Sequence, residues 1–406
     1  MSLYQLKFLN SEQLAQALAS IGADARSLPF FDNRREIKTL FVPNVDVRAA
    51  NVIKQEILSR GGDAALSAKA VGASEPYSDV IIFASAKQLS FLADKLAMMP
   101  WWGLPSVVSG IRDALAGMAK KSRKVTLPCG APLTFGERTN IMGIINLTDD
   151  SFFSASRTNG SIDTAVARAL RLAEEGADIL DIGAESTRPG SSRVPEDDEI
   201  RRVTEAVRAI RKELPLMPLS IDTTRASVAR AALGEGADII NDISGLTYEP
   251  EIAAVSSEYN AMLVLMHMRG TPETMRDMCD YDNILLDMTD FFDKSIAKAE
   301  SMGAKRSQII LDPGIGFAKN HNQNLYLLRN MEAFATFGLP VLIGVSRKGT
   351  IGFATDSPSA EDRLEGTVAV SVLCSWHDID IVRVHDVKEN KKAVMMAESV
   401  KGSKYE

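Results

Sequence analysis

From about position 138 onward, the chain alternates short apolar runs with longer segments in which apolar residues recur every three to four positions. The short runs are IMGIIN (141–146), ADILDIGA (177–184), PLSIDT (218–223), ADIINDIS (237–244), AMLVLMHM (261–268), QIILDPG (308–314), PVLIGV (340–345) and DIVRVHDV (380–387). Apolar runs of this length between helical stretches predict parallel strands, each returned by a crossover helix. DTAVARALRLAEEGA, RASVARAALGEGA and NQNLYLLRNMEAF supply the helical period, and each closes near a glycine or a short polar turn. Eight such repeats fit a closed barrel better than an open doubly wound sheet, which commonly has fewer strands. VTLPCGAPLTF, centred on Gly130, predicts a β-hairpin just ahead of the first repeat.

The first 120 or so positions follow a different pattern. LYQLKFL, IKTLFVP, DAALS and DVIIFAS predict strands, while EQLAQALASIGA, VRAANVIKQEILSRGG and AKQLSFLADKLAMM predict helices. The basic run Lys120-Lys121-Ser122-Arg123-Lys124 reads as a solvated linker. The fold class is therefore α/β: a (β/α)8 TIM barrel over 125–406 preceded by a small α/β domain over 1–120. That domain contains no histidine and no cysteine, and no catalytic constellation is legible in it.

Composition narrows the function classes. A formal charge of −7 over 406 residues argues against wholesale binding to nucleic acid or to an anionic membrane surface, so any anion site must be built locally. Three cysteines without a CxxC pair fit a reducing compartment better than a disulfide framework. The N-terminus carries no basic segment followed by an apolar stretch, and no run approaches the length of a membrane span, so the expected location is cytoplasmic.

The polar residues of the barrel repeats come late in each run. Asn146 ends the first, Asp222 lies at the end of the third, Asn241 and Asp242 come late in the fourth, and His267 and Asp312 follow in the next two. Ser346-Arg347-Lys348 follows the seventh strand, and Arg383 and His385 lie in the eighth. In a barrel these positions converge on the face that carries active sites, and one or two of them alone would be ordinary turn formers or helix caps. Asp222, Asn241 and Asp312 combine carboxylate acceptors with an amide, a set suited to the guanidine-like edge of an aminopyrimidinone ring. Arg188, Lys348, Arg383 and His385 form a cationic group suited to phosphate oxygens.

The runs IMGIINLTDDSFF, DIGAESTRPGS, LSIDT, INDISG, LMHMRGTP, LDPGIGFAKN, IGVSRKG and IVRVHDV, in this order, resemble dihydropteroate synthase, the folate-pathway member of the pterin-binding barrel family. The resemblance covers roughly 138 to 400 and implies condensation of 7,8-dihydropterin-6-ylmethyl diphosphate with 4-aminobenzoate. It implies that Asp222, Asn241, Asp312 and Lys348 hold the pterin, with Met266 flanking its face, and that Asn146 coordinates a Mg²⁺ on the diphosphate. Thr187, Arg188, Arg383 and His385 would meet the diphosphate, with Arg383, His385, Lys348 and Arg188 as the catalytic cations. Ser346, Pro189, Phe152 and Phe317 would shape the 4-aminobenzoate pocket. The loops 149–157 and 189–198 are expected to order when diphosphate binds. Departures from the family pattern are Asp149 in place of a proline, Ala318 in place of a glycine and Lys319-Asn320 where the family has KT.

Two other readings share these motifs. A methyltetrahydrofolate:corrinoid methyltransferase would use the same barrel and the Asp, Asn, Asp set but needs no diphosphate site, so the SRKG and RVHD cations disfavour it. A non-catalytic pterin-binding protein would have no need of those cations or of Asn146. EDRLEGTVAVSVLCSWH is apolar on more than one face, which predicts a homodimer.

Overall fold

The computed structural model describes residues 11–147, 160–185 and 194–403, apart from positions 25, 27, 33–35 and 120–121. The chain divides into two compact units, Met1–Ala119 with Thr336–Gly338 and Ser403–Glu406, and Lys120–Ala335 with Leu339–Gly402.

In the smaller unit, strands β1 (Lys38–Asp46), β2 (Asp63–Leu66) and β3 (Tyr77–Ala84) form an antiparallel sheet of order β1-β3-β2. Alternate residues Leu40, Val80, Ile82 and Ala64 are buried against helices Val47–Leu58 and Ala86–Leu96, as the period of two in the sequence requires. Ser85 and Gln88 form a capping box at the start of the second of these helices. A further helix, Leu104–Met118, has its proline in the first turn and was not legible as a separate element. The LYQLKFL segment lies outside the described residues.

The larger unit contains a hairpin, β4 (Arg123–Thr126) paired with β5 (Pro132–Phe135), followed by eight parallel strands. These are β6 (Asn140–Asn146), β7 (Ile179–Gly183), β8 (Leu219–Asp222), β9 (Ile239–Asp242), β10 (Met262–Met266), β11 (Ile309–Asp312), β12 (Leu342–Ile343) and β13 (Ile381–Val384). The sheet runs β11-β10-β9-β8-β7-β6-β13-β12, and a parallel bridge between Leu311 and Val341 brings its two edges together. The architecture is thus the expected TIM barrel. Met142, Ile179, Ile239, Val264, Ile310, Leu342 and Ile381 fill the interior together with Leu127, Leu133 and Phe135 of the hairpin.

One expectation is corrected here. The basic run at 120–124 is not wholly a solvated linker, because Arg123 and Lys124 belong to strand β4. Arg123 is half-buried with its guanidinium 5.4 Å from the centroid of Phe135, and burial lowers its pKa from the ordinary value. Pairing with Thr134 and Phe135 overrides the preference of a charge run for water.

Candidate functional site at the C-terminal ends of the barrel strands

A strand's period of two determines which polar residues enter the barrel. Two residues beyond each of the interior positions Ile179, Ile239, Ile310 and Ile381, the same face presents Asp181, Asn241, Asp312 and Arg383. Asp222 is paired in register with Asn241, which brings it to the same level. The interior therefore changes from apolar to ionic over a single strand repeat.

Arg383 links two carboxylates there. Its Nε donates to Asp181 Oδ2 at 2.6 Å and its Nη2 donates to Asp222 Oδ2 at 2.8 Å. Burial would lower the pKa of Arg383, but Asp181 and Asp222 together hold it above its ordinary value. Burial pushes Asp222 up to about 7 against the pull of Arg383, and the neighbouring Asp181 and Glu199 add to the rise.

Asp181 was not singled out from the sequence, yet it is fully buried and accepts three hydrogen bonds. Ser220 Oγ donates at 2.6 Å, Arg383 Nε at 2.6 Å and Asn241 Nδ2 at 3.3 Å. The missed signal was positional: Asp181 lies two residues after the interior Ile179, so it cannot face the helices. Its acceptor role also orients the neighbouring amide. With Nδ2 turned to Asp181, Asn241 Oδ1 is buried and finds no hydrogen-bond partner among the described residues, a costly state unless a donor meets it.

Asp312 accepts the backbone N–H of Gly314 at 2.7 Å, and burial raises its pKa, with Lys348 opposing. Lys348 Nζ donates to Ile315 O at 2.6 Å and lies 4.5 Å from the centroid of Phe317. Burial brings this ammonium down to about 8, with Asp312 opposing. Beside these groups, Ile243, Met266, Met268, Met275, Phe317 and Ala318 form a buried apolar cluster, with Tyr248 packed against it. The expected Met266 and Phe317 thus share one wall.

His385 differs from expectation in its charge. Ser346 Oγ accepts the backbone N–H of His385 at 3.2 Å and lies 3.0 Å, within hydrogen-bond distance, from His385 Nδ1. Burial, aided by Arg383 and Arg347, lowers the imidazole to about 4. His385 is a neutral hydrogen-bonding group at pH 7, not a fourth cation. Arg347, adjacent to Lys348, is engaged by Asp386 at 3.0 and 2.6 Å.

Asn146 ends β6, half-buried and in register with Gly183. Phe152, Thr187, Arg188 and Pro189 lie outside the described residues, as do the loop 149–157 and the start of 189–198. No helix among the described residues is long and apolar enough to cross a membrane.

Among the described residues, a parallel-barrel rim that combines buried carboxylates, an amide oxygen without a partner, the cations Lys348 and Arg383 and an apolar wall fits an enzyme class that binds a flat, hydrogen-bonding ring beside an anion. The comparisons agree with this class. A family model described as "Pterin binding enzyme" matches residues 142–385. A dihydropteroate synthase of Synechocystis is 45% identical over 275 residues, covering 68% of this chain and 94% of that one. A solved dihydropteroate synthase structure from Clostridium difficile, obtained in the presence of pteroic acid, is 42% identical with a TM-score of 0.62, covering 66% of this chain and 98% of that one. A longer Haloferax volcanii protein, described as a probable bifunctional folylpolyglutamate synthase/dihydropteroate synthase, is 35% identical over 378 residues, which is 90% of this chain and 43% of that one. This chain belongs to the pterin-binding enzyme family, among the dihydropteroate synthases.

Proposed function

We propose that this enzyme condenses 7,8-dihydropterin-6-ylmethyl diphosphate with 4-aminobenzoate to form 7,8-dihydropteroate and diphosphate. The observation that carries the reading is the buried Asn241 Oδ1, without a partner among the described residues and set at the level of Asp222 on the adjacent strand. A donor edge of the pterin satisfies these acceptors together with Asp312, while Lys348 serves its acceptor side. Met266 packs on the ring face, and Phe317 and Ser346 line the 4-aminobenzoate side with Phe152 and Pro189.

The C–O bond to diphosphate breaks, its electron pair leaving with the diphosphate, as the electron-rich dihydropterin takes up positive charge; the amine of 4-aminobenzoate then bonds to the exocyclic carbon and gives up one proton to diphosphate or water. Lys348, Arg383, Arg188 and Thr187 stabilise the charge developing on the departing diphosphate, and neutral His385 contributes a hydrogen bond. The remaining work is alignment of the two reactants.

The donor set is compatible with Mg²⁺. Asn146 offers one amide oxygen at the rim, and among the described residues no three His, Cys, Asp or Glu side chains gather. Mg²⁺ commonly takes one or two protein oxygens and completes its shell with phosphate and water. When bound, the ion neutralises charge on the leaving group.

The same reading places the enzyme in the cytoplasm as a homodimer. The exposed apolar side chains Phe353, Leu373 and Met396 on three neighbouring helices (Gly349–Thr355, Leu364–Trp376 and Val387–Lys401) support a second buried surface. The assay combines the protein, the pterin diphosphate, 4-aminobenzoate and Mg²⁺, and follows dihydropteroate and diphosphate. Formation of both in equal amounts is expected; diphosphate release without dihydropteroate would overturn the assignment.

A further inference from the structure

Lys319 is a buried cation that the reaction above does not use. It follows the turn Pro313–Ala318 that connects β11 to the next helix, and only 7% of its surface is exposed. Its ammonium folds back beneath that turn. Nζ donates to Phe317 O at 2.9 Å and Gly314 O at 3.1 Å in its own turn, and its third N–H is shared between His267 O at 3.3 Å, just past the end of β10, and the ring of the same residue. His267 Nδ1 lies 2.9 Å away. Burial lowers the imidazole to about 2, so it is neutral and its Nδ1 accepts from the ammonium, leaving the ring proton on Nε2. The ring is held edge-on against Phe291 at 4.8 Å between centroids.

These contacts begin where strand pairing stops. The β10–β11 ladder runs from Leu263–Ile309 to Met266–Asp312, and its last bond is donated by His267 N to Asp312 O at 2.9 Å. Beyond it, Gly314 and His267 have no mutual backbone bond, and the approach is so close that a Cβ on Gly314 would lie 2.2 Å from His267 O. Lys319 bridges their carbonyls instead. The same turn supplies Ile315 O, which fixes Lys348, and the Phe317 ring that lies against that ammonium.

We propose that Lys319 is a positioning residue for pterin binding. Its ammonium replaces the missing ladder between two strand ends and so places Asp312, Lys348 and Phe317 relative to one another. The inference rests on the proposed pterin site. Burial of the ammonium, with Asp312 opposing and neutral acceptors in contact, lowers it to about 7, so the cationic bridge prevails below that pH and the measurements are made near pH 6.

The test uses the full-length enzyme and the variants Lys319→Met and Lys319→Gln, with wild type as the reference. In a variant that folds, KM for the pterin diphosphate is expected to rise by about tenfold or more while kcat changes by less than about threefold. The dissociation constant of 6-hydroxymethyl-7,8-dihydropterin, measured by calorimetry, should rise in parallel. A lower melting temperature with both constants unchanged within about twofold assigns Lys319 a structural role only and overturns the proposal. The chain has four histidines, so ¹⁵N ring shifts of the wild type can be assigned. A neutral His267 with hydrogen-bonded Nδ1 and protonated Nε2 is expected, and a protonated Nδ1 would overturn the proposal even if neither variant folds. A wild-type protein that forms no dihydropteroate but binds the pterin defeats the functional reading alone.

Discussion

At the scale of single residues, the site is governed by the cost of burying charge. Among the described residues Asp222 keeps one hydrogen-bond partner, Arg383, and sits where ionisation is resisted. Asp222→Asn removes an ionised acceptor and should weaken pterin binding by about 1.5 to 3 kcal/mol, roughly 10- to 150-fold, read by titration calorimetry. An unchanged affinity would sink the role given to this carboxylate.

The pH dependence follows from the same group. Asp222 has a folded value of about 7 against an ordinary 3.8, so between these values the folded, unliganded protein holds the proton that the unfolded chain releases. Its contribution to stability therefore declines as pH rises through that window and levels off above about 7. A ligand that needs the ionised form must expel the proton, so pterin affinity should rise with pH below about 7, by at most about tenfold per unit for one proton. Calorimetry near pH 6.5 in buffers of different ionisation enthalpy should register proton release on binding. Proton uptake would contradict the assignment of Asp222 as an ionised acceptor.

Ala318 shows how a departure from the family pattern is accommodated. It adopts φ +47, a left-handed conformation that favours the family's glycine. Its side chain compensates by joining the apolar cluster of Met266 and Phe317. Ala318→Gly relieves the backbone but loses that contact and loosens the unfolded chain, so chemical denaturation should find a net change smaller than about 1 kcal/mol.

At the scale of elements, the strand ends and the turns after them carry the site. The turn 313–319 depends on Gly314, with φ +66 and the close carbonyl of His267. Gly314→Ala combines a left-handed alanine with an overpacked contact and should cost at least about 2 kcal/mol in chemical denaturation. Gly245 is constrained in the same way at the end of β9, where a Cβ would meet Met266 O at 2.6 Å. The strands themselves were legible because their apolar runs are bounded by glycine and polar turns. Helix Leu104–Met118 was missed because it follows Trp101 and Trp102 with no polar cap, starting instead at Gly103 in a left-handed conformation.

At the scale of the whole molecule, each unit encloses its own apolar cluster: Ile53, Ile82, Leu89 and Leu96 in the smaller, and the barrel interior with its hairpin in the larger. A chain of residues 120–406 should therefore give a single cooperative melt and retain pterin binding, as followed by calorimetry and circular dichroism. Loss of the cooperative transition would mean that residues 1–119 supply part of the barrel's stability.

The apolar period, the glycine punctuation and the late polar residues of eight runs were enough to determine a barrel and to bring Asp222, Asn241 and Asp312 to the same end of it, because these follow from local periodicity and strand direction. Partnerships across the barrel were decided only by the tertiary structure. The sequence does not tell which carboxylate Arg383 selects, that Asp181 turns the Asn241 amide, that His385 stays neutral, or that Lys319 reaches back to His267. These depend on distances between residues far apart in the chain and on how completely water is excluded from each. Both are set by the closure of the barrel, where one buried charge determines the orientation and protonation of the next.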